Sequence, residues 1–126
     1  MKVFIVEDSP EILERLADMV REVGEVDLVG DAGNYEAAVA GIISTRPDVA
    51  IVDIKLADER GSGIDVLGRV RQDLPAMKAI VLSNHVTPQH LKASADAGAE
   101  YFLDKSADAD RITGILAQLR DELDAA

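Results

Sequence analysis

Val3-Phe4-Ile5-Val6-Glu7-Asp8-Ser9-Pro10 opens on four apolar residues and turns, across two acids, into a helix start. Four apolar residues are too few for a signal-peptide core or a membrane span, so they read as a buried strand. Ser9 is the N-cap, because its side-chain oxygen accepts a free N–H of the first turn. Pro10 suits the first helical position, where no N–H is required. Behind them Ile12, Leu13, Leu16, Met19, Val20 and Val23 recur at helical spacing, and Gly24 predicts the stop.

The same alternation continues outward. Val26 to Val29, Val49 to Val52, Ala79 to Leu82 and Tyr101 to Leu103 are further short apolar runs, giving five predicted strands. Between them lie four more helical patterns. Asn34 caps a second helix carrying Val39, Ile42 and Ile43, which must end before Arg46-Pro47 because proline disfavours helical geometry in its predecessor. Ile64, Leu67, Val70 and Leu74 mark a third. Pro88 to Gly98 forms a fourth with a weak apolar signal from Leu91, Ala95 and Ala97, and Ile112, Ile115, Leu116, Leu119 and Leu123 stack in a fifth. Strands alternating with helices predict parallel pairing, so the expected fold is α/β, an open doubly wound (βα)5 sheet with helices on both faces.

The 126 residues suit one domain, expected over residues 1–126 with no output domain in the chain. Thirteen Lys and Arg stand against 24 Asp and Glu, a net charge of −11 that opposes direct binding of nucleic acid or anionic lipid. With no cysteine, disulfides, thiolate metal sites and thiol catalysis are excluded, and the cytoplasm is the expected compartment.

In open parallel sheets ligands bind beyond the carboxyl ends of the strands. There the predicted strands end in Glu7-Asp8, Asp53, Ser83 and, through Asp104, Lys105. Two carboxylates ~4 Å apart at an effective dielectric near 20 repel by about 4 kcal/mol, which calls for a cation. Oxygen-only donors favour Mg²⁺ over Ca²⁺, since Mg²⁺ takes one or two carboxylates, keeps several waters and can hold a phosphoryl oxygen.

This set, in this order, resembles the receiver domains of bacterial two-component response regulators, over roughly residues 2 to 122. The resemblance implies a flavodoxin-like sheet of strand order 2-1-3-4-5 and makes Asp53 the phosphoacceptor, charged by a sensor histidine kinase or a histidine phosphotransfer protein. It implies Mg²⁺ held by Asp8, Asp53 and the backbone carbonyl of Lys55, with Glu7 acting through water. Lys105 and Ser83 match the lysine and hydroxyl residue that meet the phosphoryl oxygens, and Phe102 matches the switch aromatic. Lys55, Asn84 and His85 stand at variable positions that tune the site, Asn84 being placed to screen attacking water. The implied output is the surface of the fourth helix, fifth strand and fifth helix, meeting a downstream protein or a second copy of the chain. Such a domain is a switch with self-limited chemistry, not a turnover enzyme.

Departures from the family pattern concern two loops. Ile54 to Gly63 implies a loop about two residues longer than common, with Ala57 where the family has proline. Gly61-Ser62-Gly63 lacks a P-loop ending and reads as a flexible turn. Ser106 replaces a frequent proline after the lysine, a variant similar to receivers of regulators with helix-turn-helix output domains. His85 and His90 have no ligand-spaced partner and read as surface residues.

Three alternatives use the same fold. A small metal-dependent phosphatase would carry an Asp-x-Asp nucleophile, whereas Asp53-Ile54-Lys55 lacks the second acid. A phosphorylation-independent interaction module would not require every chemical position to be filled, as it is here. A flavodoxin-like cofactor-binding module would need Ser/Thr- or Gly-rich phosphate loops and aromatics to sandwich a ring, and Ser9-Pro10-Glu11 with 3% aromatics provides neither.

Overall fold

A computed structural model describes residues 1–125. In chain order the elements are β1 (Lys2–Val6), α1 (Pro10–Glu22), β2 (Asp27–Ala32), α2 (Tyr35–Thr45), β3 (Val49–Asp53), α3 (Gly63–Val70), β4 (Lys78–Ser83), α4 (Pro88–Asp96), β5 (Tyr101–Asp104) and α5 (Ile112–Ala125), with one 3-10 turn at Ala109–Arg111. All strand pairs are parallel, in the order β2-β1-β3-β4-β5. The order reverses between β1 and β3, so the residues following these two strands flank the crevice that such sheets leave for ligands.

Both faces of the sheet are covered. Val3, Ile5, Val49, Ile51, Ile80 and Leu82 pack against α1 and α5, while Phe4, Val6, Ala50, Val52, Ala79 and Val81 pack against α2 and α3. This double burial is why the central strands read as unbroken apolar runs. Ser9 caps α1 through the Ile12 N–H, Asn34 caps α2 through Ala37, and Thr87 caps α4 through His90.

Several expectations need correction. β2 begins one residue late and runs three residues further, to Ala32, because an edge strand with one free side tolerates Gly30 and Asp31. Gly24 does not supply a left-handed stop for α1; the helix ends at Glu22 and the left-handed residue of the turn is Glu25 (φ 62°). Arg46 takes the left-handed conformation (φ 49°) ahead of Pro47 and ends α2 as the proline requires. Leu74 lies past the end of α3 yet is buried, carried inward by the turn that follows. Leu91 and Leu123 were expected on core faces and are exposed, at 45% and 47%. The buried residue of α4 is Ser94.

One side chain fastens the far end of α4. Arg71, the C-cap of α3, donates to the carbonyls of Met77, Ala97 (3.4 Å) and Gly98 (2.6 Å), and pairs with Glu100 at 3.2 Å. The Glu100 carboxylate in turn accepts the Ala79 N–H at 2.8 Å.

Candidate functional site

β1 and β3 are neighbours, and the two residues after β1 and the last residue of β3 come to one end of the sheet. Glu7, Asp8 and Asp53 meet there, each offering an oxygen such that the three lie within 4.8 Å of one another. Among the described residues this is the one group of side chains suited to hold a metal. Lys105, just beyond β5, reaches into it: its Nζ lies 2.6 Å from Glu7 Oε1 and 2.9 Å from Asp53 Oδ2. The three side chains are almost wholly shielded from solvent, whereas Asp8 is exposed.

One cation thus pairs with two of the three acids. Burial raises the Glu7 carboxyl above its usual value, against the opposing pull of Lys105 and the Ser9 N–H, with repulsion from Asp53 adding to the rise. Burial also works against the Lys105 ammonium. The contacts with Glu7 and Asp53 outweigh that penalty and leave it above the usual lysine range. An excess of carboxylate oxygen donors over cations, open toward Asp8, fits a small hard cation such as Mg²⁺.

The segment joining β3 to α3 closes over one side. Lys55 N–H donates to Asp53 Oδ1 at 3.3 Å, and Ala57 N–H donates to Asp8 Oδ2 at 2.9 Å. Gly61-Ser62-Gly63 is not the flexible turn that was expected. Ser62 caps α3 in a reciprocal capping box with Asp65. Gly63 N–H donates to the Ile54 carbonyl at 2.8 Å, and a Cβ at 63 would fall 1.9 Å from the Asp53 carbonyl oxygen. Only glycine lets α3 start against the end of β3 at this distance.

Ser83 is buried at the end of β4, and its hydroxyl is engaged by the His85 backbone. It donates to the His85 carbonyl at 2.7 Å and accepts the His85 N–H at 3.1 Å. Asn84 and His85 are exposed, as is Lys55. Asn84 and Lys105 both line a small cavity with Ile12, Arg15 and Met19 of α1. His90, expected at the surface, is half-buried, and its Nδ1 sits 2.9 Å from the His85 carbonyl. Phe102 is half-buried on the α3–α4 side, packed against the core beside Ala97 and Ala99, while Tyr101 faces the other side. Where the family often has proline, Ser106 closes the loop differently: its N–H and hydroxyl both donate to Asp104 Oδ1 at 2.8 Å. The Ala107 N–H, followed by the Ser106 donors, holds the Asp104 carboxyl below the usual range.

Sequence reading did not single out the Ala57 N–H, the structural duty of Gly63, or Asp58, whose carboxylate ties this segment to α2. The spacing Asp58-x-Arg60 is that of a side-chain-to-backbone turn, the one local signal available for the last.

Residues 3–117 match the family model of the response regulator receiver domain. The DNA-binding transcriptional activator DevR/DosR of Mycobacterium tuberculosis is 30% identical, over 83% of this chain and 48% of that protein. The transcriptional regulatory protein BtsR of Escherichia coli K12 is 30% identical, over 97% of this chain and 49% of its own length. The chain spans about half the length of these relatives. The signal receiver domain of the putative response regulator NarL from Mycobacterium tuberculosis shares the fold at a TM-score of 0.82 and 26% identity, covering 94% of this chain and 95% of that one.

Proposed function

The chain belongs to the response regulator receiver domains of two-component systems, and from that premise we propose that it is a phosphorylation switch whose acceptor is Asp53. The observation that carries this reading is the seating of one ammonium, Lys105, between Glu7 and Asp53 at 2.6 and 2.9 Å, with Asp8 open beside them. Asp8, Asp53 and the Lys55 backbone carbonyl would hold Mg²⁺, with Glu7 acting through water. Bound there, the ion would supply the charge that lets an anionic phosphoryl donor approach an anionic acceptor.

Lys105 holds Oδ2 of Asp53. Oδ1, met by the long 3.3 Å bond from Lys55 N–H, is then the oxygen that attacks phosphorus. The bond from phosphorus to the donor's histidine nitrogen breaks, its electron pair returns to the imidazole, and an acyl phosphate forms; a carboxylate needs no deprotonation to do this. Lys105 and the Ser83 hydroxyl then meet phosphoryl oxygens, so that positioning and charge do most of the work. The donor is a histidine kinase or a histidine phosphotransfer protein.

For readout, the Ser83 hydroxyl must leave the His85 backbone, and Phe102 turns inward beside it. The surface of α4, β5 and α5 changes accordingly and meets a downstream protein or a second copy of the chain. Direct contact with nucleic acid is opposed by the net charge of −11. Asn84, His85 and Lys55 flank the acceptor from the surface and set the life of the phosphate.

Intact mass measurement after incubation with a small phosphodonor tests the assignment. Wild type gains one phosphoryl group in Mg²⁺ and none in EDTA, and Asp53→Asn gains none. Equal modification of the two proteins would sink it.

A further inference from the structure

Asp58 lies outside the acid cluster, half-buried on the segment between β3 and α3. Its two oxygens accept from two backbone groups: Oδ2 from the N–H of Tyr35, the first residue of α2, at 2.8 Å, and Oδ1 from the N–H of Arg60 at 2.9 Å. The Tyr35 N–H is one of the unpartnered donors that every helix start presents, and an anion is favoured there. The Arg60 N–H, followed by that of Tyr35, holds the Asp58 carboxyl below the usual carboxylate range.

Other contacts repeat the tie. Arg60 pairs with Glu36 in the first turn of α2. A Cβ at Gly61 would fall 2.8 Å from Tyr35 Cδ2, so the segment lies directly against the Tyr35 ring. The Arg60–Glu36 pair is well exposed and by itself worth little. Asp58, with two backbone partners, is the stronger fastening.

Its place in the chain gives the tie a consequence. Ala57, the preceding residue, donates its N–H to Asp8 Oδ2, and Lys55 donates to Asp53 Oδ1. The segment that touches both acids is otherwise irregular from Ile54 to Ser62, and such a loop keeps a fixed geometry only where it is anchored.

We propose that Asp58 is a positioning residue for the acid cluster: by pinning the β3–α3 segment to the first turn of α2, it holds the Ala57 N–H on Asp8 and so sets the affinity for Mg²⁺ from outside the ligand set. This rests on the acid cluster being the Mg²⁺ site. Asp8, with Oδ2 fixed by Ala57, presents Oδ1 in one orientation. Once the tie is released, the carboxylate must be ordered at the moment the ion binds.

Calorimetric Mg²⁺ titration of wild type, Asp58→Asn, Asp58→Ala and Asp8→Ala, with thermal midpoints in EDTA and amide hydrogen exchange at Ala57, tests it. Loss of a group that orients a metal ligand weakens binding by roughly tenfold. That loss is expected for Asp58→Ala, with a smaller one for Asp58→Asn, which keeps one acceptor oxygen. Ala57 exchange should quicken in the alanine variant without Mg²⁺, while the thermal midpoint stays near that of wild type. Wild-type affinity in Asp58→Ala overturns the proposal, as does an equal loss in both variants that tracks a fall in midpoint. Wild type binding Mg²⁺ no better than Asp8→Ala removes the acid-cluster reading itself.

Discussion

Lys105 Nζ lies 2.6 Å from an oxygen of Glu7, and the Glu7 side chain has no exposure to solvent. An acid in that position is tolerated rather than favoured: burial is the largest influence on it and raises its pKa. The cluster therefore holds charge that the fold alone would not select.

Replacing Glu7 by Gln keeps an acceptor for the Ser9 N–H and removes the buried charge. A folded-state pKa raised above the unfolded value of 4.5 means that ionised Glu7 costs nothing below that pH and its full penalty above the raised value. Glu7→Gln should raise the thermal midpoint by roughly 3–6 °C at neutral pH. The gain should fade below pH 4.5. Calorimetry at the two pH values reads it; a lowered midpoint at neutral pH would show that the pair with Lys105 stabilises more than burial costs.

Lys105→Met has the opposite sign. It keeps an apolar stem and takes the one cation away from Glu7 and Asp53, leaving buried acids uncompensated at a cost of roughly 3 kcal/mol in EDTA. Mg²⁺ should bind the variant more tightly and restore more of its stability than in wild type. Because the Lys105 pKa is raised, its contribution is complete below 10.5 and is lost as the pH climbs through the higher folded value, a decline the variant should lack. Urea denaturation with and without Mg²⁺ decides; weaker Mg²⁺ binding by the variant contradicts the electrostatic account.

Gly63→Ala and Gly68→Ala make a matched pair within α3. A Cβ at 63 meets the Asp53 carbonyl oxygen at 1.9 Å and Val52 Cγ1 at 2.6 Å, whereas nothing lies within 4 Å of one at 68. The first substitution should cost on the order of 3 kcal/mol and lower phosphorylation of Asp53, since the strand end must shift. The second should stabilise by up to about 1 kcal/mol. Comparable stability of the two variants would remove the close-approach argument.

A beryllium fluoride adduct should move the His85 amide more than its neighbours, because the Ser83 hydroxyl that accepts from it at 3.1 Å would turn toward the adduct. Ring signals of Phe102 should shift with it. If amide spectra change at Glu7, Asp8 and Asp53 while residues 84 to 104 stay still, the proposed relay is wrong.

What could be read ahead of the structure divides along a physical line. Ser9, Asn34 and Asp53 act within a few residues of their own position, as caps or at a strand end, so local spacing exposes them. The parallel pairing follows from the same local alternation, whereas the sheet order came only with the family resemblance. Asp58 was not legible because its partner Tyr35 is 23 residues away and meets it only when α2 and the β3–α3 segment are packed together. Gly63 resembled a flexible residue because sequence cannot separate a glycine needed for φ from one needed for closeness. Leu91 carried an apolar signal without a core to face, since α4 packs through Ser94 instead.

The guanidinium of Arg71 gives α4 a fulcrum. Sliding the whole helix would strip the carbonyls of Ala97 and Gly98 of their donor, whereas swinging its Thr87 end about that anchored end leaves both bonds in place. The helix is therefore geared as a lever. A displacement of the Ser83–His85 turn would be largest at the Thr87 end, beside exposed Val86, and would die away toward Gly98.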